Sequence, residues 1–155
     1  MKREVLFRAY QKNFKRMLPV VGIEFDANGV QVVTVDNRGM DGKYDVIPYY
    51  SRYIDGDEDF PLDTLILMQS TGLRDKNGTK IFEGDILKDV VVGTVFAVFF
   101  VGGGFIVESN PTHFGYGHQK GVNPTESLSN PEMRSCVEDN FEVIGNIYDK
   151  EDLLK

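Results

Sequence analysis

Short apolar segments separated by polar turns run along the first third of the chain, at lengths typical of β-strands. The predicted strands are residues 5–9, 20–25 and 30–35. The stretch Asp26–Gly29 contains Asn-Gly, a strong hairpin signal. Residues 46–53 are aromatic and contain Pro48, which predicts an edge strand or an irregular stretch. The pattern therefore predicts an N-terminal β segment over residues 1–60.

The strongest turn signal is Asn77-Gly78, which has apolar residues on both sides. A two-residue hairpin turn needs positive φ at both central positions, and Asn and Gly tolerate that best. Gly84-Asp85 is a second predicted turn. The valines at 90–92 are expected to lead into a strand over Phe96–Val101, with a bulge or sharp bend at Gly93.

Three consecutive glycines, Gly102–Gly104, follow that strand. A phosphate-cradling loop would need a helix after them, whereas residues 105–108 have a strand pattern, so we predict a hairpin. Residues 109–130 are rich in Gly, Asn, Pro, Ser and Thr and are predicted to form a long loop. Asn130 and Pro131 then predict the start of a short helix over residues 131–139. A last strand is expected over 141–148.

Three separated blocks of this sequence have a distinctive order and spacing: Arg3–Tyr10 with Lys15–Met17, Met68–Ile86, and Phe141–Tyr148 with Leu153-Leu154. In these blocks the chain resembles the YopX family, small proteins encoded mainly by bacteriophages and prophages. Tyr10 stands where the family often has Trp, Ser70 stands where an aromatic residue is common, and residues 103–140 have no evident counterpart. The resemblance implies a C-terminal half similar to a small SH3-type barrel and a tendency to self-associate. It implies no established enzymatic activity and supplies no catalytic residues.

We therefore expect a mainly β protein with minor α content. The expected domains are the N-terminal β segment at 1–60 and a small SH3-like barrel at 61–155. The acidic stretch Asp55–Asp59, followed by Pro61, is the expected linker. It resembles the opening of a calcium loop, but Phe60 occupies the sixth position, where the loop needs glycine.

The charge is unevenly distributed. Residues 1–16 carry six basic side chains and one acid, whereas the chain as a whole has a net charge of −7. The basic residues are Lys2, Arg3, Arg8, Lys12, Lys15 and Arg16, with Tyr10 and Phe14 among them. Three interpretations stay open for this arm: a solvated strand face, pairing with the acidic body of a neighbouring subunit, or contact with phosphates.

Candidate chemistry is sparse. Cys136 is the single cysteine, which predicts a half-buried helix residue and excludes an internal disulfide. His113 and His118 are five residues apart in a glycine-rich stretch, which is no recognised zinc spacing. No apolar run approaches the roughly 20 residues that span a bilayer, and no signal-peptide pattern follows the basic N-terminus. We expect no catalytic residues, no metal, no cofactor and no membrane contact, and a protein of the host-cell cytoplasm.

The leading hypothesis is a non-catalytic phage or prophage accessory protein that acts by binding and self-assembly as a homo-oligomer. The alternative is a nucleic-acid-binding regulator that uses the basic N-terminal arm. An enzyme is the third hypothesis, with the histidines and the acids near Asp55 as its only candidates. The candidate interaction residues are Lys2, Arg3, Arg8, Tyr10, Lys15, Arg16, Phe114 and Tyr116.

Overall fold

The computed structural model describes residues 5–39, 44–51, 60–109 and 125–149. Strands make up 59% of this described part, which contains one short helix, so the prediction of a mainly β protein is confirmed. The chain forms two compact units, of which one is Val5–Gln69 and the other contains the described residues from Ser70 onward. The acidic linker expected at 55–59 lies outside the described residues, and the expected domain boundary at residue 61 stays a prediction.

The N-terminal unit is an antiparallel sheet. Its strands are β1 (Phe7–Gln11), β2 (Arg16–Asp26), β3 (Gly29–Asp36), β4 (Val46–Tyr50) and the first half of β5 (Leu65–Arg74). Their order in the sheet is β4-β3-β2-β1-β5. The side chains on one face form the core of this unit: Ala9, Leu18, Val33, Val35, Ile47, Tyr49 and Leu65. β4 lies at the edge and contains Pro48, as the sequence predicts.

The predicted hairpin at Asp26–Gly29 joins β2 to β3 and is confirmed. Gly29 has a φ of 108°, a conformation that favours glycine. An oxygen of the Asp26 carboxylate accepts a hydrogen bond from the Asn28 N–H at 2.6 Å, which fixes the turn. Two register shifts interrupt the β2–β3 ladder, between Val20 and Gly22 and between Glu24 and Phe25. These irregularities decide which side chains of β2 face outward.

The C-terminal unit contains a five-stranded antiparallel sheet, and the second half of β5 pairs with a short strand beside it. Its further elements are β6 (Lys80–Phe82), β7 (Asp85–Asp89), β8 (Val95–Val101), β9 (Gly104–Ser109), β10 (Thr125–Ser127), α1 (Pro131–Asn140) and β11 (Phe141–Asn146). The sheet order is β10-β9-β8-β7-β11. Leu87, Val98 and Val107 of the sheet pack with Val137 of α1 and with Phe141. The Asn130 side chain accepts from the Glu132 N–H, so the predicted helix start is confirmed.

The predicted barrel is not confirmed as a closed structure. Within the described residues no strand pairing joins β10 to β11, and the sheet is open. The loop predicted over 109–130 is too long, because Ser109 ends β9 and residues 125–127 pair with β9 as a strand. Residues 110–124 lie outside the described part of the chain.

Two turn predictions need correction. The β5–β6 hairpin exists, but Asn77 lacks the predicted positive φ; only Gly78 has it, at 80°. Residues 90–92 precede β8, as predicted, but they form a turn and do not continue a strand pattern. They form the tip of the β7–β8 hairpin, where Asp89 accepts from the N–H groups of Val91 and Val92 at 2.9 and 3.3 Å. The bend predicted at Gly93 is confirmed by its φ of 82°.

The glycine hairpin between β8 and β9 is confirmed. Gly102 and Gly103 have φ values of 60° and 81°, and Val101 pairs with Gly104 across the turn. Two consecutive positive φ values are the requirement of a tight two-residue hairpin turn. Gly102-Gly103 therefore has the tight two-residue geometry that the sequence predicts for Asn77-Gly78, where the structure lacks it.

Candidate binding surface

A basic, aromatic turn connects β1 to β2. We call Lys12, Phe14, Lys15 and Arg16 the basic tip. The pairing of Gln11 with Arg16 closes the hairpin, and the Phe14 side chain is 66% exposed. The Arg16 guanidinium carbon lies 5.1 Å from the centroid of the Phe14 ring, within the range of a cation–π contact. The exposed ring is therefore held next to a cation and is not a randomly oriented surface residue.

Arg16 is itself anchored by a polar network in the N-terminal unit. Its Nε donates to Gln11 Oε1 at 2.5 Å, and its Nη2 donates to Asn37 Oδ1 at 3.1 Å. Gln11 is 2% exposed, and its Nε2 donates to the hydroxyl of Tyr49. Burial raises the pKa of Tyr49 above its usual value of 10.0, and the hydrogen bond from Gln11 and the charge of Arg16 oppose that rise. A satisfied buried network of this kind rigidifies the base of the tip.

The turn residues present their charges at the surface. Lys12 and Lys15 are exposed, and Lys12 Nζ donates to the backbone carbonyl of Asp63 at 2.8 Å. Lys15 has a φ of 50°, in the left-handed region that non-glycine residues seldom occupy. Glycine would fit this backbone with less strain, so lysine at this position destabilises the fold by about 1 kcal/mol relative to glycine. The tip can offer cations and an aromatic face to an anionic or aromatic partner.

The other end of β2 has the opposite charge. We call Glu24, Phe25 and Asp26 the acidic tip. Phe25 is 68% exposed, about as much as Phe14, and both acids that flank it are exposed. β2 contains 11 residues, so at about 3.3 Å per residue its two ends lie roughly 35 Å apart. The sequence predicts Phe25 only as a strand residue. Its position between two acids, directly before a turn, is the signal that could have identified it.

The other candidate interaction residues are placed as follows. Tyr10 is 6% exposed, so its ring does not belong to the surface of the structure. Arg8 is partly buried, and its Nη2 lies 3.9 Å from the sulfur of Met68. The structure thus brings together Lys15 and Arg16 of the predicted set, with Lys12 and Phe14 beside them. Lys2, Arg3, Phe114 and Tyr116 lie outside the described residues.

The described residues offer little that resembles a reaction centre. Among them no group of three or more His, Cys, Asp or Glu side chains is arranged to hold a metal ion. Cys136 is half-buried in α1, as predicted, and its Sγ lies 3.7 Å from Asn140 Nδ2. His113, His118 and the acids near Asp55 are outside the described ranges. An exposed ion pair with Arg38 at 2.6 Å holds the pKa of Asp36 at about 2, chiefly through the side-chain hydrogen bond.

The acids of the block Met68–Ile86, one of the three that carry the family resemblance, serve structure. The buried carboxylate of Asp75 accepts from three backbone N–H groups. Asn77 and Thr79 of its own turn donate to one oxygen at 2.9 and 2.8 Å, and Val143 of β11 donates to the other at 2.9 Å. Asp85 is also buried and accepts from the Phe82 N–H at 2.8 Å. Both acids are committed to holding turns.

Two sheet edges are protected by these and similar contacts. On the outer side of β11, the Phe141 carbonyl accepts from the Lys76 N–H, and the Val143 N–H donates to Asp75. On the outer side of β4, Pro48 has no N–H, and the Tyr50 N–H donates to the Phe60 carbonyl. Strand addition from another chain is therefore disfavoured at both edges.

Comparisons with known proteins agree with the fold. The chain is similar to protein EF1440 from Enterococcus faecalis, whose crystal structure it matches with a TM-score of 0.60 and 24% identity. The match covers 99% of this chain and all of the other, and at that identity it supports the fold alone. The search of curated proteins found no match to this chain. Within the described residues no helix is long and apolar enough to cross a membrane. The family model described as YopX protein matches residues 6–155, and the chain therefore belongs to the YopX family.

Proposed function

We propose that this protein is a non-catalytic phage or prophage accessory protein that works by binding and by association with further copies of itself. The observation that carries the proposal is the pair of exposed phenylalanines, Phe14 and Phe25, at oppositely charged ends of β2. Isolated apolar residues on a surface are ordinary. Phe14, however, is oriented by Arg16, which is anchored on buried Gln11. An exposed ring on a rigid base, with charges around it, is suited to contact another macromolecule.

The absence of catalysis is part of the proposal. A reaction centre needs a nucleophile, a base or a metal in mutual geometry. The acids in the family-matched block, Asp75 and Asp85, accept hydrogen bonds from backbone N–H groups and so are occupied by structure. Incubation of the protein with panels of hydrolase substrates, with and without divalent metals, would reveal turnover if this part of the proposal were wrong.

The SH3-like character of the C-terminal unit also remains a proposal. Four strands, β7 to β10, run as a meander, and β11 returns after a short helix to pair with β7. A meander whose fifth strand returns beside the first is the order expected for an SH3-like barrel. The bulge between Val143 and Gly145 in β11 supports the sharp strand bending that such barrels need.

Light scattering coupled to gel filtration tests self-association. We expect a mass above one chain at about 100 μM protein, with dissociation on dilution because the contacts are small. A mass of one chain at that concentration would refute self-association. The proposed location, the host-cell cytoplasm, is tested by fractionation of cells that express the protein.

A nucleic-acid-binding regulator is the second candidate, and the basic tip is the observation that favours it. Phe14 could stack on a base while Lys12 and Lys15 contact phosphates. The net charge of −7 opposes this function. Fluorescence anisotropy with single- and double-stranded oligonucleotides, at low salt, decides the matter. Binding that weakens steeply with salt and with Phe14→Ala would support the regulator, whereas no binding would remove it.

A further inference from the structure

We propose that copies of this chain associate head to tail, with the basic tip of one copy seated on the acidic tip of the next. The inference rests on the proposed self-association and adds the surface, the partner and the geometry. It starts from the two ends of β2, which carry similar side-chain patterns with opposite charge. Each end has one exposed phenylalanine and flanking exposed charged residues.

Charge complementarity identifies the partner. The basic tip contributes Lys12, Lys15 and Arg16, and the acidic tip contributes Glu24 and Asp26. Asp63 is an acid beside Lys12 and lowers the positive field of the basic tip, whereas the Asp36 carboxylate is already paired with Arg38, so three cations stand against Asp63 at the tip. A second copy is the one partner certain to present a matching acidic, aromatic surface at equal concentration. Its Phe25 and the first copy's Phe14 would supply the apolar centre, with the charges as the rim.

The basic tip and the acidic tip of one copy cannot contact each other. They lie at opposite ends of one continuous strand of 11 residues, roughly 35 Å apart. A contact between different patches is heterologous, so each copy retains one unsatisfied tip of each sign until a ring closes or a filament forms. The two protected sheet edges also favour a contact through side chains, since their outward backbone groups are occupied or absent at Pro48, Tyr50, Phe141 and Val143.

Two charge variants test the arrangement. Variant A is Lys12→Glu with Lys15→Glu, which makes both tips acidic and leaves Arg16 in its network. Variant B is Glu24→Lys with Asp26→Asn, which makes both tips basic. Asparagine at 26 keeps an oxygen that can accept from the Asn28 N–H, so the turn is preserved.

A matched control reverses two charges elsewhere. Lys76→Glu with Arg134→Glu changes the net charge as much as variant A does, at exposed side chains of the C-terminal unit. The wild type, variants A and B, and the control are examined by sedimentation velocity at about 100 μM and low salt. Under these conditions surface charges act over about 10 Å or more. Circular dichroism spectra verify that each variant is folded.

We expect the wild type and the control to assemble, and variants A and B to associate at least about tenfold more weakly. An equimolar mixture of A and B should regain assembly, because the unmodified basic tip of B meets the unmodified acidic tip of A. A monomeric wild type would refute self-association itself. Assembly of A or B like the control, no recovery in the mixture, or equal loss in the control would overturn the head-to-tail arrangement alone. Loss of oligonucleotide binding by A with unchanged assembly would assign the basic tip to nucleic acid and would also overturn it.

Discussion

Removal of the Asp75 carboxylate should weaken the C-terminal unit more than removal of any comparable turn acid. Asp75→Ala deprives three backbone donors of their acceptor, at Asn77, Thr79 and Val143. The first two donors belong to exposed residues and can bind water instead, at a loss of about 0.5–1 kcal/mol each. The Val143 residue is partly buried, and its bond to a charged group is worth about 1.5–3 kcal/mol. The expected loss is about 2.5–5 kcal/mol, a large share of a typical stability of roughly 5–15 kcal/mol.

Asp75→Asn separates the two roles of this side chain. The amide has a single acceptor oxygen, so it can serve either the turn or Val143, and its NH₂ group must then face the other N–H. We expect a loss of about 2–3 kcal/mol, since one donor stays buried and unsatisfied. Urea unfolding followed by circular dichroism gives the free energies, and hydrogen exchange at the Val143 amide reports the strand edge directly.

Asp89→Ala is the matched control. Asp89 also caps a hairpin turn, but within the described residues its side chain accepts from Val91 and Val92 alone, two exposed neighbours in sequence. Its removal should cost about 1 kcal/mol and leave exchange at Val143 unchanged. If Asp75→Ala and Asp89→Ala lower the unfolding free energy equally, the long-range bond to β11 contributes nothing and the reasoning is refuted.

Three further outcomes are expected. The raised pKa of Tyr49 means that its contribution to stability is complete below pH 10 and is lost as the pH rises through the folded-state value; urea unfolding at increasing alkaline pH should show this loss, and Tyr49→Phe should reduce it. In an NMR titration, Asp36 should titrate near pH 2, and Arg38→Ala should return its pKa toward 3.8. Gly103→Ala should cost about 1–2 kcal/mol in urea unfolding because φ is 81° there, whereas Gly104→Ala, without a positive φ, should cost less.

The sequence predicts most of the strands because their apolar spacing is local information. It also places the turns correctly at Asp26–Gly29 and Gly102–Gly103, where glycine supplies a positive φ. The predicted conformation of the Asn77-Gly78 turn is wrong in detail, because only Gly78 has a positive φ. Its geometry depends on Asp75, whose carboxylate also reaches Val143, a residue 68 positions later. No local pattern contains that contact.

The segment at 90–92 shows the limit of β propensity. Three valines favour a strand, yet Asp89 caps the turn and Gly93 closes it with a bond from its N–H to the Asp89 carbonyl at 2.8 Å. Asp89 and Gly93, which flank the valines in the sequence, favour a turn more strongly than the valines favour a strand. The exposure of Phe25, in contrast, follows a register shift in the β2–β3 ladder that a period-two pattern cannot reveal.

The response of assembly to salt discriminates between two kinds of contact. Strand addition depends on backbone hydrogen bonds and responds weakly to ionic strength, whereas contacts between exposed charges are screened within about 10 Å at 0.1 M salt. At β4 and β11, Tyr50 and Val143 already use their outward N–H groups, so a contact there would have to break existing bonds. Contact between the basic and acidic tips breaks none of these. We therefore expect the assembled fraction to fall steeply between about 0.05 and 0.5 M NaCl. Assembly that persists unchanged across this range would point to an edge such as β10, and would contradict contact through the tips.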